Sequence, residues 1–244
     1  MKAKDWDELA EKEKYYQEIL SPIKEQKARQ KILRKIGRGR KAIDLGCGLG
    51  EMIPYLIERY DEVVAIDFSQ KMVERAREKG GKVERADLRN LKKYRGFDLA
   101  VSINSIIVPS VKEVDKIFKE VRKTLKEGGR LLAVLPSMNS VLYVAMLVYE
   151  KQLAKLKDKE KAVARTKKII GDYGFIRGTF DHAGEQKFYY DFEIEHRLKK
   201  AGFEKIKIER LRYPWKALEN YEMNFPKEEE PWDWLVEASV QSPK

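Results

Sequence analysis

The chain has one cysteine, Cys47, and two histidines, His182 and His196, among 244 residues. A single thiol permits no intrachain disulfide, and these three dispersed side chains offer no cluster at the spacing of a structural zinc site, so no metal is expected. Long hydrophobic runs are also missing. The greasiest stretch, 141–149, is too short to span a bilayer. The amino-terminal run MKAKDWDELAEKEKYY is charged and reads as something other than a signal peptide. These absences set the expectation of a soluble cytoplasmic protein without a membrane span. No repeat period and no low-complexity linker interrupts the chain, and its length suits one α/β core that buries most of its apolar surface.

Charge is abundant. Lys and Arg number 51 against 40 Asp and Glu, a formal excess of +11, which raises nucleic acid as a partner. Charged residues make up 37% of the chain, dominated by Lys, Glu and Arg, and that surface composition also fits a thermostable protein. The distribution is uneven. Residues 24–41 hold nine basic and one acidic side chain, 151–168 hold eight basic and two acidic, and 219–237 hold seven acidic and one basic. Both basic blocks read as helices, so each is either a phosphate-tracking surface or the solvated face of a lysine-rich protein.

Residues 6–20 and 22–36 read as two helices separated at Ser21-Pro22. Strands and helices then alternate: strand 41–45, helix 51–60, strand 62–67, helix 69–79, strand 82–86, strand 97–103. The apolar steps Val111, Val114, Ile117, Phe118, Val121 and Leu125 predict a helix ended by Gly128-Gly129, and 130–136 is a further strand. This rhythm means βαβ crossovers and an α/β, doubly wound, mostly parallel sheet. It breaks after Pro136. Residues 138–171 predict one long helix or two, and 172–190 an irregular loop or hairpin rich in aromatics, together long enough to cover a ligand site. Asp191 is placed to cap a helix running to Ala201 and ended by Gly202; strands follow at 204–211 and 235–240.

The run Asp44-Leu45-Gly46-Cys47-Gly48-Leu49-Gly50 joins the first strand to the following helix, where glycines let backbone N–H groups approach a ligand. Asp67 ends the next strand and Asp87 follows the third, so three strand-end carboxylates share the sheet edge where such folds bind ligands. Taken together, D-L-G-C-G-L-G, V-V-A-I-D-F-S, A-D-L, F-D-L-A-V-S-I and G-G-R-L-L-A-V resemble, in order and spacing, the class I S-adenosylmethionine-dependent methyltransferases over about residues 40–136. K-K-A-G-F-E-K-I at 199–206 continues the likeness. Dinucleotide-binding folds usually carry G-x-G-x-x-G, whereas these glycines run G-x-G-x-G with an acid two residues ahead.

The resemblance implies a Rossmann-like sheet of seven strands in the order 3-2-1-4-5-7-6, the last antiparallel. It implies a single domain: an N-terminal helical cap (1–39), a cofactor-binding core (40–136), a lid or substrate insertion (137–190) and the rest of the sheet (191–244). It further implies S-adenosylmethionine as cofactor. Gly46, Cys47, Gly48 and Gly50 would line its methionine part, Asp44 orient its amino group, Asp67 hold the ribose diol and Phe68 pack on adenine. Asp87 and Leu88 would meet the adenine amine and edge, and Ser102, Ile103 and Asn104 border the sulfonium. Tyr15 and Tyr16, on the helix that commonly caps the cofactor, would contact its carboxylate.

Cys47 then reads as a small residue in a tight loop, which excludes cytosine C5 chemistry, since that needs a separate catalytic cysteine. After the fourth strand stands Asn104-Ser-Ile-Ile-Val-Pro109 rather than an N-P-P-Y tetrad, against methylation of adenine N6 or of glutamine. His182 is the candidate base within the cover, with Tyr189 and Tyr190 as groups that could orient an acceptor; His196 reads as a partly exposed helix residue. The expected function is methyl transfer by direct displacement to a small organic molecule. An RNA methyltransferase using the basic helices 24–41 and 151–168 is the alternative. A non-catalytic protein that binds cofactor or nucleic acid is the third reading.

Overall fold

A computed structural model describes residues 7, 21–181, 185–217 and 223–241. Apart from Asp7, the helix expected at 6–20 lies outside the described residues. The chain enters through α1 (Gln26–Ile36), capped by the Glu25 side chain on the Lys27 amide. The core follows as β1 (Gly39–Leu45), α2 (Ile53–Ile57), β2 (Tyr60–Asp67), α3 (Gln70–Ala76), β3 (Lys82–Arg85), β4 (Phe97–Ile103), α4 (Val111–Thr124) and β5 (Leu125–Leu135). The insertion supplies α5 (Met138–Leu156), α6 (Lys159–Ile170) and the short strands β6 (Asp172–Gly174), β7 (Thr179–Asp181) and β8 (Glu185–Lys187). Next come α7 (Asp191–Ala201), β9 (Glu204–Arg212) and β10 (Trp232–Ser239).

The main sheet has seven strands in the order β3-β2-β1-β4-β5-β10-β9. β1 to β5 pair in parallel, and β10 runs antiparallel to both β5 and β9. This is the doubly wound order expected from the resemblance. Both faces are covered, so the central strands are apolar on both sides. Ile43, Leu45, Leu131, Ala133 and Leu135 face one core with Phe118 and Trp234. Their alternates Ala42, Leu132 and Val134 face the other, with Ile32 and Ile36 of α1. Tyr60 reaches across that second layer to donate to the Ile36 carbonyl at 2.8 Å.

Several boundaries differ from the sequence reading. The helix expected at 51–60 is only Ile53–Ile57, because the glycine turn continues to residue 52. β5 begins at Leu125, before Gly128-Gly129, and its pairing with β4 is irregular between Phe97 and Leu99. The last strand starts at Trp232, which adds Trp232 and Trp234 to the core. Tyr190, not Asp191, holds the N-cap position of α7, while Asp191 is the first helical residue and accepts from the Phe192 amide.

The insertion resolves into two helices, which break at Lys157 in a left-handed conformation (φ 52°) with Asp158 capping the second. Of the two forms expected for 172–190, the hairpin is the one found: β6-β7-β8 form a separate antiparallel sheet. Its attachment is ionic as well as apolar. The Lys187 ammonium, fully buried, donates to the carbonyls of Arg177 and Phe188 at 2.7 and 2.9 Å and to Glu193 of α7 at 2.7 Å. Glu193 also holds Arg197, which pairs with Asp115 of α4. Removing one member of a buried ion pair strands the other charge. Glu193→Ala is therefore expected to cost about 3 kcal/mol in urea unfolding. Adding Lys187→Met to that variant is expected to restore part of the loss; a further loss in the double variant would contradict the buried-charge account.

Candidate functional site

At the carboxyl end of β1 the chain turns through Gly46, Gly48 and Gly50, all with positive φ (71°, 52° and 79°). Added to that backbone strain, a side chain would collide at Gly46 and be crowded at Gly50. A Cβ on Gly46 would lie 2.4 Å from the Ser105 Cβ, and one on Gly50 would lie 3.2 Å from the Ala76 Cα of α3. The Gly46 and Cys47 amides both donate to the Ile66 carbonyl, which ties the turn to β2. Ser105 braces the other side, donating to the Leu45 carbonyl at 2.5 Å and bonding the Ser102 hydroxyl at 2.7 Å.

Two carboxylates sit under and beside this turn. Asp67, at the end of β2, accepts from the Gly48 amide at 3.0 Å and the Ser69 amide at 2.9 Å. Burial raises its pKa, and those backbone donors oppose the rise. Asp44 is 2% exposed, and its Oδ2 has no hydrogen-bond partner. Burial, followed by the charges of Asp67 and Glu51, pushes the Asp44 carboxyl up to about 7. The Cys47 thiol is driven up by burial beyond any useful ionisation, in accord with a space-filling residue.

A cavity of about 350 Å³ opens beside the turn. From the β1–β3 side it is lined by Gly46, Gly48, Asp67, Phe68, Asp87 and Leu88, and from the end of β4 by Ile103 and Asn104. Asp87 is gripped by Arg89, whose Nε and Nη2 reach its two oxygens at 2.6–3.0 Å, and this ion pair lowers the Asp87 pKa. Asn104 has φ 48°. Its Nδ2 donates to Asp233 of β10 at 3.1 Å, while its Oδ1 is buried without a partner. Asp233 is itself half-buried and also accepts from the Tyr213 hydroxyl at 2.8 Å and the Ser137 amide.

The remaining expected residues fall elsewhere. Asp44, Cys47, Gly50 and Ser102 support the turn and the strand ends without lining the cavity. Tyr15, Tyr16 and His182 lie outside the described residues. Asp7, which precedes them, accepts from the Ser69 hydroxyl at 2.5 Å, beside Asp67.

Tyr189 and Tyr190 require correction. Tyr189 is fully buried in the core, edge-on to Phe118, and its hydroxyl donates to the Ile106 carbonyl at 2.7 Å. Tyr190 stacks on Phe192 and donates to the Phe175 carbonyl at 3.1 Å. Both hydroxyls are spent on backbone, and neither lines the cavity. Residues missed from the sequence include Arg89, Ser105, Glu113, Glu185, Gln186 and Asp233. For Glu113 a local signal existed, since Ser110-x-x-Glu113 is a capping-box pattern and Ser110 does cap α4. For Glu185 and Asp233 there was none. The basic block expected as a helix over 24–41 is helical only over Gln26–Ile36, since its end forms β1, and it is partly neutralised: Lys31 and Lys35 of α1 pair with Glu209 of β9, Lys35 also with Glu237 of β10, and Lys41 of β1 with Glu62.

The Asp44 carboxyl titrates near 7 in the fold against a usual 3.8. Between those values the folded state holds the extra proton, so this group makes stability fall as pH rises from about 4 to about 7. Asp44→Asn removes the titration. In calorimetry of ligand-free protein the variant is expected to melt higher than wild type at pH 8, with the gain vanishing toward pH 4. A lower melting temperature at pH 8 would contradict the assignment of a strained carboxylate.

Comparison with known proteins adds three findings. Residues 42–129 match a family model described as a methyltransferase domain. Among curated proteins, the chain is 39% identical over 75 residues to trans-aconitate 2-methyltransferase from Mycobacterium ulcerans, covering 29% of this chain and 28% of that one. It is 36% identical over 101 residues to the enzyme of that name from Rhizobium etli, covering 40% and 39%. The chain thus aligns with well under half the length of these relatives.

Among solved structures, the fold matches an S-adenosylmethionine-dependent methyltransferase from Methanosarcina mazei with a TM-score of 0.60 at 18% identity, over 87% of this chain and 97% of the other. One from Clostridium acetobutylicum gives 0.56 at 17% identity, over 88% and 89%. At such identities the structural likeness speaks for the fold alone. The matched family model, the sheet order and the glycine turn flanked by Asp44 and Asp67 agree: residues 42–129 match a methyltransferase domain, and the sheet has the order implied by the resemblance to the class I S-adenosylmethionine-dependent methyltransferases.

Proposed function

We propose that this protein transfers a methyl group from S-adenosylmethionine to a small organic molecule by direct displacement. The observation that carries the reading is the pair Asp44 and Asp67 at the strand ends, one with an unpartnered buried oxygen, under a turn too tight for any side chain at Gly46. An uncompensated carboxylate there suits a ligand that brings its own ammonium group. When bound, the cofactor supplies a methyl group activated by attachment to a cationic sulfur.

The chain's residues do the rest. Asp67 accepts the ribose hydroxyls, and Asp44 receives the ammonium. Phe68 and Leu88 pack on the adenine ring, with Asp87 toward its amine. Gly46 and Gly48 leave room for the methionine part, with Cys47 and Gly50 holding the turn behind them, and Ile103 and Asn104 border the reacting centre, with Ser102 behind them. Because the donor is strongly activated, the protein chiefly aligns the acceptor and excludes water. His182 stands as the candidate base, and Tyr15 and Tyr16 as contacts to the cofactor carboxylate; all three lie outside the described residues. The small-molecule acceptor is supported by relatives named for trans-aconitate. The acidic partners of Lys31 and Lys35 on α1, and of Lys41 on β1, weigh against a continuous RNA surface over 24–41.

The test is transfer of labelled methyl from S-adenosylmethionine into a cell extract separated into metabolite, RNA and protein fractions. Label is expected in the metabolite fraction, and ribonuclease-sensitive label would overturn the small-molecule reading. Asp67→Ala is expected to abolish the signal and to weaken cofactor binding at least about tenfold in calorimetry, since hydrogen bonds to a charged group contribute about 1.5–3 kcal/mol each. Unchanged affinity would sink the role given to Asp67.

A further inference from the structure

The part of the cavity that the cofactor reading leaves unassigned is built by the segment after β4, by α4 and by β8. Ile107, Val108, Pro109 and Ile117 give it an apolar wall. Its charges are the carboxylates Glu113 and Glu185. Over the whole cavity four carboxylates, Asp67, Asp87, Glu113 and Glu185, face one guanidinium among the described residues, that of Arg89.

Arg89 is not available to a ligand carboxylate. Its Nε and Nη2 form a fork on Asp87, and its Nη1 lies 2.5 Å from Glu113. A bidentate guanidinium already filled in this way has little left to offer a second anion. Glu185 lines the cavity and pairs at 2.5 Å with Arg177, which does not, so the lining itself keeps the acid without its cation. The position of Glu185 is set by its backbone. β8 pairs with β7, and Lys187, two residues on, donates its amide to the Ile107 carbonyl at 2.9 Å, which joins the acid-bearing strand to the apolar wall.

We infer that the methyl acceptor is a small amine with an apolar portion, drawn in as its ammonium form, and that polycarboxylates are rejected by the same lining. The inference rests on the cofactor reading above. A cleft in which one sign of charge predominates concentrates ligands of the opposite sign and repels those of its own. The relatives named for a tricarboxylate do not transfer their specificity here. A shared stretch of 75 or 101 residues is too short to hold both the glycine turn at Gly46 and Glu185. In the reaction the ammonium first releases one proton to solvent. The nitrogen lone pair then forms a bond to the methyl carbon as the carbon–sulfur bond breaks with its electron pair passing to sulfur. The products are an N-methylammonium ion and S-adenosylhomocysteine.

The test uses the full chain with labelled S-adenosylmethionine and four probes: benzylamine, phenethylamine, trans-aconitate and citrate. Label is expected in the amines and absent from the polycarboxylates. Glu185→Gln is expected to raise KM for benzylamine at least fivefold while leaving the competitive inhibition constant of uncharged benzyl alcohol within twofold, a split that general loss of structure would not produce. Label in trans-aconitate or citrate, or an equal rise in both constants, would overturn the inference. If S-adenosylmethionine binds in calorimetry and neither amine is labelled, the amine inference fails and the cofactor reading stands. If the cofactor does not bind, both fail.

Discussion

The site depends on a carboxylate buried where the fold provides it with too few partners. Asp44 is enclosed at the end of β1, beside Asp67, with one oxygen unbonded. A buried polar atom left in this state costs on the order of 1–3 kcal/mol, and a charged one more. The glycine turn explains why the cost is not relieved locally. Its amides are committed elsewhere, those of Gly46 and Cys47 to Ile66 and that of Gly48 to Asp67. The fold thus holds ready an electrostatic demand that a cationic ligand can meet. Parallel order in β1, β2 and β4 brings Asp44, Asp67 and Asn104 to one edge of the sheet, so the demand falls beside the cavity and not in the middle of the core.

The acceptor side is held by different means. The small β6-β7-β8 sheet is too short to bury a core of its own, and it is fastened through Lys187 to Glu193 of α7 and onward through Arg197 to Asp115 of α4. Burial lowers the Lys187 pKa while Glu193 opposes that fall. Neutralising either partner therefore disturbs the strand that presents Glu185 to the cavity. Asp233 does the same for the β4 end, joining Asn104, Ser137 and Tyr213 in one half-buried cluster between the ends of β4 and β9, the start of α5 and β10. Stability and acceptor geometry share these contacts, so a variant at Lys187, Glu193 or Asp233 is not a clean probe of chemistry alone.

The βα alternation, the glycine turn, Asp67 and Asp87 were legible in the sequence because each is a local signal: periodicity, conformational freedom, or an acid at a strand end. The sheet order was legible through the family likeness. What escaped was set by contacts distant along the chain. Tyr189 and Tyr190 look alike in sequence next to a cover, yet Tyr189 turns into the core and Tyr190 out to Phe192, because the bridge between Ser137 and Tyr189 fixes which way the chain faces there. Glu185 and Asp233 reach the site from the insertion and from the last strand, and no spacing rule connects them to the glycine turn. The start of β5 was missed because the helix-ending glycines at 128–129 lie inside a strand whose pairing with β4 is irregular there.

The most direct test of the central claim is the pH dependence of S-adenosylmethionine affinity, measured by calorimetry on the wild-type chain. If the ammonium of the cofactor is received by Asp44, binding must displace the proton that the carboxyl holds below about 7. The α-amino group of the ligand stays charged through that range. Affinity is then expected to rise by nearly tenfold per pH unit from about 5 to 6.5 and to level off above 7. An affinity that stays flat across this interval would contradict the account.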